Sequence, residues 1–151
     1  MGTMPSKMIF LAFALAAISC SSKSSPPAAP ATATQSIGPE GGQIVVDGAT
    51  VTFAKSAVAS AQSITITASS DPPPDGFVAL SRVYTCEPSG LNFAADVTMA
   101  MQFTPDGSPA TMVWSSAANP AFAELSNVST SGSTMTATIQ HFSSGFVGRK
   151  K

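Results

Sequence analysis

Val97-Thr98-Met99-Ala100-Met101-Gln102-Phe103 puts Val97, Met99, Met101 and Phe103 on one side of an extended chain and Thr98, Ala100 and Gln102 on the other. Strand side chains alternate with a period of two, so this stretch predicts a strand with one face in a core and one in water. Pro105-Asp106-Gly107 ends it with turn residues. The same pattern recurs on both sides. Ile44-Val45-Val46 leads into Asp47-Gly48, a two-residue hairpin signal, after which Val51 and Phe53 alternate with Thr50 and Thr52. Ser63-Ile64-Thr65-Ile66-Thr67 alternates again, and the prolines of Asp71-Pro72-Pro73-Pro74-Asp75-Gly76 stop it because they have no N–H for a ladder. Residues 77–86 read as one strand and Glu87-Pro88-Ser89-Gly90 as a turn; further strands fall in 110–115, 121–128 and 134–140. No segment keeps a helical period and no repeat is visible. Short alternating strands at even spacing predict an all-β fold, an antiparallel β-sandwich over residues 36–148.

The two ends read differently. Residues 1–7 carry one cation, Lys7, and residues 8–18 are apolar, ending at Ser19-Cys20, which is the anatomy of a secretory signal peptide over 1–19. The apolar run is shorter than the ~20 residues that span a bilayer. Ala17-Ile18-Ser19-Cys20 resembles the bacterial lipobox, with Ala17 where leucine is commonest, so Cys20 is expected to be the acylated first residue of the mature chain; ordinary cleavage after a small-x-small pattern is the competing reading. Residues 20–35, rich in Ser, Pro and Ala, show no apolar periodicity and read as a disordered linker, with a reach of roughly 20 Å as a coil and about 45 Å in the polyproline form. Ser21 is not an acidic retention signal, and by that resemblance the outer membrane is the expected address. Arg149-Lys150-Lys151 reads as a solvated basic tail.

Charged residues make up 10% of the chain and the net charge is −1, which gives no footprint for a phosphate backbone and excludes nucleic acid as the expected partner. One histidine and two cysteines cannot build a zinc site or, with Cys20 acylated, a redox pair, so no metal and no cofactor is expected. Asp71, Asp75 and Asp106 lack the spaced ligands of a calcium loop and read as turn residues. Asn127-Val128-Ser129 fits a glycosylation acceptor but reads as the approach to a turn. Cys86 is expected to be a buried, inert thiol. Trp114 and Phe122 are core residues or surface contacts; sequence does not separate the two.

Gly38-Pro39-Glu40-Gly41-Gly42, the hairpin to Phe53, Leu80-Ser81-Arg82-Val83-Tyr84, and Glu87-Pro88-Ser89-Gly90-Leu91-Asn92-Phe93 before Val97-Thr98-Met99 together resemble the ZU-five domain. This β-sandwich module occurs in ankyrins, netrin receptors and zonula-occludens scaffolds, with bacterial envelope relatives. The likeness covers about residues 36–104, and its strongest piece is Pro88, Gly90 and Phe93. Ala54-Lys55-Ser56-Ala57-Val58 departs from the family, which has a Pro-Pro-Gly-Ala-Leu type of segment there. The resemblance implies an interaction module. It also implies a second outcome, because some eukaryotic members cleave themselves between Phe and Ser of a His-Phe-Ser sequence, and His141-Phe142-Ser143 stands here.

That cleavage needs Ser143 to attack the Phe142 carbonyl with His141 assisting proton transfer. Extending the strand alternation puts His141 and Ser143 on one face with Met135, Ala137 and Ile139, about 6.5 Å apart along the chain. A fully paired strand offers no strain to drive the shift, although Ser144-Gly145 would permit a distorted turn. The favoured expectation is an intact chain, in which His141 packs at the sandwich edge and Ser143 opens the closing strand. Function is thus expected to be that of a lipid-anchored envelope module, held to the membrane by its anchor and serving an envelope protein partner, with self-cleavage as the alternative. Oligomeric state is not legible.

Overall fold

The computed structural model describes residues 30–116 and 121–151. Twelve strands appear in order: β1 (Ala31–Ile37), β2 (Gly42–Val46), β3 (Ala49–Phe53), β4 (Gln62–Ser69), β5 (Phe77–Ala79), β6 (Val83–Glu87), β7 (Asn92–Gln102), β8 (Thr111–Ser115), β9 (Phe122–Glu124), β10 (Val128–Ser131), β11 (Thr134–His141) and β12 (Ser144–Lys150). They form a seven-stranded sheet in the order β1-β4-β6-β12-β8-β9, with β5 also on β12, and a five-stranded sheet in the order β10-β11-β7-β3-β2. Every ladder between strands is antiparallel. The two sheets pack face to face as the all-β sandwich that the alternation predicts.

Alternation explains which atoms fill the space between them. Val97, Met99 and Met101 have no exposed surface, while Thr98 and Ala100 are partly exposed and Gln102 is exposed. Ile64, Ile66 and Ala68 of β4 and Cys86 of β6 come from the opposite sheet, and Val51 and Phe53 of β3 complete the layer. Each fully buried aliphatic side chain is worth about 1.5–3 kcal/mol, so this layer dominates the stability. Asp47 and Gly48 both have left-handed φ, 34° and 85°, and close the β2–β3 hairpin with Val46 opposite Ala49.

Four boundaries differ from the sequence expectation. Residues 121–128, read as one strand, split because the chain changes sheets there: β9 ends at Glu124 in the seven-stranded sheet and β10 begins at Val128 in the five-stranded one. β1 begins at Ala31, so residues 31–35 of the stretch read as linker belong to the seven-stranded sheet, in continuous register from Ala31 opposite Ala68 to Ile37 opposite Gln62. Threonine–alanine alternation without large apolar groups gave little hydrophobic signal, and the strand is specified by its partner. The segment 77–86 is two strands rather than one, because residues 80–82 leave the ladder and face Val147 unevenly. Leu80 N–H donates to the Val147 carbonyl at 2.8 Å, and the Val147 N–H donates to the Ser81 hydroxyl at 2.8 Å. A side-chain oxygen there replaces a backbone carbonyl. Finally, Arg149 and Lys150 lie within β12 opposite Val78 and Phe77, and Arg149 pairs with Asp106 at 2.7 Å, so only Lys151 remains beyond the strand.

β12 also carries a second, smaller core. Phe146 and Val113 have no exposed surface and point away from the main core, under Phe77 and Phe122. The rings of Phe77 and Phe146 meet edge to face, 5.9 Å apart. Gly145 makes room for a ring and Gly148 for the backbone of β5, rather than for a turn. A Cβ on Gly145 would strike the Trp114 indole and approach the Val113 carbonyl to 2.6 Å, and one on Gly148 would strike the Val78 carbonyl and meet the Phe146 ring at 2.9 Å. Trp114 is therefore a main-core residue and Phe122 a cover for the smaller one.

Candidate functional site

β11 belongs to the five-stranded sheet and β12 to the seven-stranded one, so the chain must cross between sheets at Phe142 and Ser143. That crossing is why His141-Phe142-Ser143 does not continue the alternation of β11. The register with β7 already shifts between Ile139, opposite Val97, and His141, opposite Asn92. Phe142 then anchors the corner. Its N–H donates to the Leu91 carbonyl and its carbonyl accepts from the Gly90 N–H, both at 2.9 Å. Its ring, fully buried, packs edge to face on Phe93 at 4.9 Å and Phe53 at 5.8 Å, geometries worth about 0.5–1.5 kcal/mol each beyond area.

Ser115, at the end of β8, organises the polar side of this corner. Its hydroxyl accepts from the Ser144 N–H and donates to the Ser144 carbonyl, both at 3.1 Å, which leaves its second lone pair for the Ser143 hydroxyl. His141 Nε2–H donates to the Ser115 carbonyl at 3.2 Å. A carbonyl only accepts, and this assigns the tautomer. His141 and Ser143 thus meet through different atoms of Ser115, and the Ser143 proton is directed to a hydroxyl rather than to the imidazole. Ser115 and Ser143 are both buried, at 6% exposure, and neither was legible as a buried pair because serine is ordinarily a surface residue. The Cys86 N–H donates to the Ser143 carbonyl at 2.9 Å, so the backbone on both sides of the Phe142–Ser143 bond is held.

A polar cleft of about 380 Å³ opens at one end of the sandwich. Asp47 and Gly48 come to it from the β2–β3 turn, residues 80–82 from the break between β5 and β6, residues 102–104 from the end of β7, and Ser133 from the β10–β11 turn. Arg82 Nε pairs with Asp47 Oδ2 at 2.7 Å, and the Tyr84 hydroxyl donates to the Asp47 carbonyl at 2.9 Å. Burial, reinforced by the Asp47 charge, holds the Tyr84 phenol above its ordinary range, with Arg82 acting in the opposite direction. The ion pair leaves the cleft wall without net charge. Sequence reasoning missed this site, since its residues come from four separate stretches of the chain, 47–48, 80–84, 102–104 and 133, and only the sheet packing joins them.

Cys20 and the signal segment lie outside the described residues. Cys86 is free and fully buried, and desolvation pushes its thiol up to about 12. Asp71 accepts from the Ser69 hydroxyl and Asp106 from Arg149, and Asn127 Nδ2 donates to the Thr138 carbonyl at 2.9 Å. Among the described residues no three His, Cys, Asp or Glu side chains gather as metal ligands would. No protein-family model matches the chain, and a search of curated proteins finds no match.

Proposed function

We propose that this chain is an exported, lipid-anchored protein of the bacterial cell envelope, whose ZU-five-like β-sandwich serves there as an interaction or structural module. The observation that carries the proposal is Ala17-Ile18-Ser19-Cys20 directly after an apolar run, with a Ser/Pro/Ala-rich spacer behind it. The spacer leads straight into β1, so an acylated Cys20 would hold the sandwich near the membrane by its N-terminal edge, on the outer membrane by the absence of an acidic residue at position 21. Acylation through more than one chain gives stable anchoring where a single chain does not. An envelope partner then has two sheet faces and one polar cleft to engage.

The alternative is self-cleavage between Phe142 and Ser143. One observation favours it: the Gly90 N–H already donates to the carbonyl that Ser143 would attack, as a donor to a developing oxyanion would. One experiment addresses both readings. Mature chain purified from membranes is expected to incorporate labelled palmitate at Cys20 and to end at Lys151, and Cys20→Ala is expected to move it to the soluble fraction. If Cys20→Ala stays on the membrane, or no label enters, the anchored reading fails. A product ending at Phe142 that Ser143→Ala abolishes establishes the alternative.

A further inference from the structure

We propose that β1 is a self-association edge, through which two copies of the chain pair antiparallel with Thr34 opposite Thr34. β1 is the outermost strand of the seven-stranded sheet, and among the described residues its ladder is with β4 alone. Every second N–H and C=O along its seven residues therefore points outward. Such a row is a template for another strand unless charge, proline, a bulge or shortness blunts it. Of the other outer strands, β5 has three residues, β9 has three and ends in Glu124, and β10 has four; β2, with five, is shorter than β1 and starts at Gly42. β1 has neither charge nor proline, and its register with β4 runs unbroken over seven pairs.

The strand itself indicates the occupant. Thr32, Thr34 and Ser36 are exposed and share one face, so the pattern of hydroxyls is the same read in either direction about Thr34. Antiparallel pairing centred there sets hydroxyl against hydroxyl at all three positions. That continues a ladder the molecule already builds, since Thr34 meets Thr65 at 2.9 Å and Thr32 meets Thr67 at 3.3 Å across β4. A second copy brings no charge into the row, whereas a charged foreign strand finds no counter-charge in it. The contact is isologous and closes as a two-fold dimer. This pairing does not depend on the lipid anchor.

The test uses the full chain carrying Thr34→Cys, mildly oxidised in the whole cells that express it and run on non-reducing gels. Directly opposed Cβ atoms about 4.5–5.5 Å apart are close to what a disulfide needs. A reducible dimer is expected at ten or more times the level given by the unsubstituted chain, which reports any contribution of Cys20 and Cys86. The same excess is expected over Thr52→Cys, an exposed strand position on the other sheet. Purified chain in detergent is expected to sediment as a dimer, and Thr34→Lys, which opposes two like charges at the axis, as a monomer. Equal cross-linking at 34 and 52, a dimer mass that survives Thr34→Lys, or a Thr34→Cys adduct with a different protein would each overturn the proposal.

Discussion

Cys86 shows how much a single buried atom is worth in this core. Its sulfur lies between the sheets with no exposed surface and no thiol partner among the described residues. Native chain at pH 8 is expected to resist iodoacetamide at Cys86 and to take the label in denaturant, as read by peptide mass. Cys86→Ser keeps the size but buries a hydroxyl with no provided partner, and is expected to lose about 1–3 kcal/mol in urea unfolding. Gly145 is the converse case, where the absence of a side chain is what the site requires. Gly145→Ala forces a methyl group against the Trp114 ring and the Val113 carbonyl, and since backbone cannot retreat, about 1–3 kcal/mol or more is expected to be lost. Trp114 emission, from the one tryptophan of the chain, reports both unfolding transitions. The burial of Cys86 was legible in the sequence as the habit of free cysteine; the role of Gly145 was not, because the ring it accommodates is 31 residues away.

At the scale of elements, the β2–β3 hairpin was readable from two residues. Asp-Gly supplies the left-handed pair that a tight turn between twisted strands needs, and both residues adopt it. Gly48→Ala is expected to cost about 1–2 kcal/mol for the left-handed backbone alone, with an added contact of the new methyl against the Tyr84 hydroxyl at 3.3 Å. The β11–β12 corner was not readable. Alternation foresaw His141 and Ser143 on one face, but alternation ends where the chain changes sheets, and Ser115 stands between them. Ser115→Ala strips the Ser144 N–H and the Ser143 hydroxyl of a buried partner and is expected to destabilise by about 1–3 kcal/mol. Amide hydrogen exchange should then speed up first at Ser144 and its β12 neighbours.

The whole molecule should respond to alkali more sharply than its surface charges suggest. Cys86 and Tyr84 both hold their protons more tightly folded than unfolded, chiefly through desolvation. Groups with raised folded values contribute stability that is complete below their unfolded pKa and is lost as pH rises through the folded one. For Cys86 the window runs from its unfolded value of 9.0 to about 12, and within it each pH unit removes about 1.4 kcal/mol. Urea midpoints are expected to hold below pH 8 and to fall steeply above pH 9. Cys86→Ala, less stable at neutral pH, is expected to show a shallower decline across that window.

Taken by itself, the sequence determined the periodic features: that the chain is all-β, that Val97, Met99 and Met101 face a core, and that Asp47-Gly48 turns a hairpin. Those follow from neighbours one or two residues apart, where backbone geometry alone sets which way a side chain points. Only tertiary structure decided that Ala31–Ile37 is a strand, that 77–86 breaks at Leu80, that Gly145 makes room for an indole, and that Asp47, Arg82 and Tyr84 form one cleft. Each of these depends on what a distant segment brings alongside. β4 supplies the ladder for β1, the Val147 N–H binds a serine hydroxyl instead of a carbonyl, and the facing strands decide which side chains have room. Such complementarity is a property of pairs of segments, and no local pattern in either one encodes it.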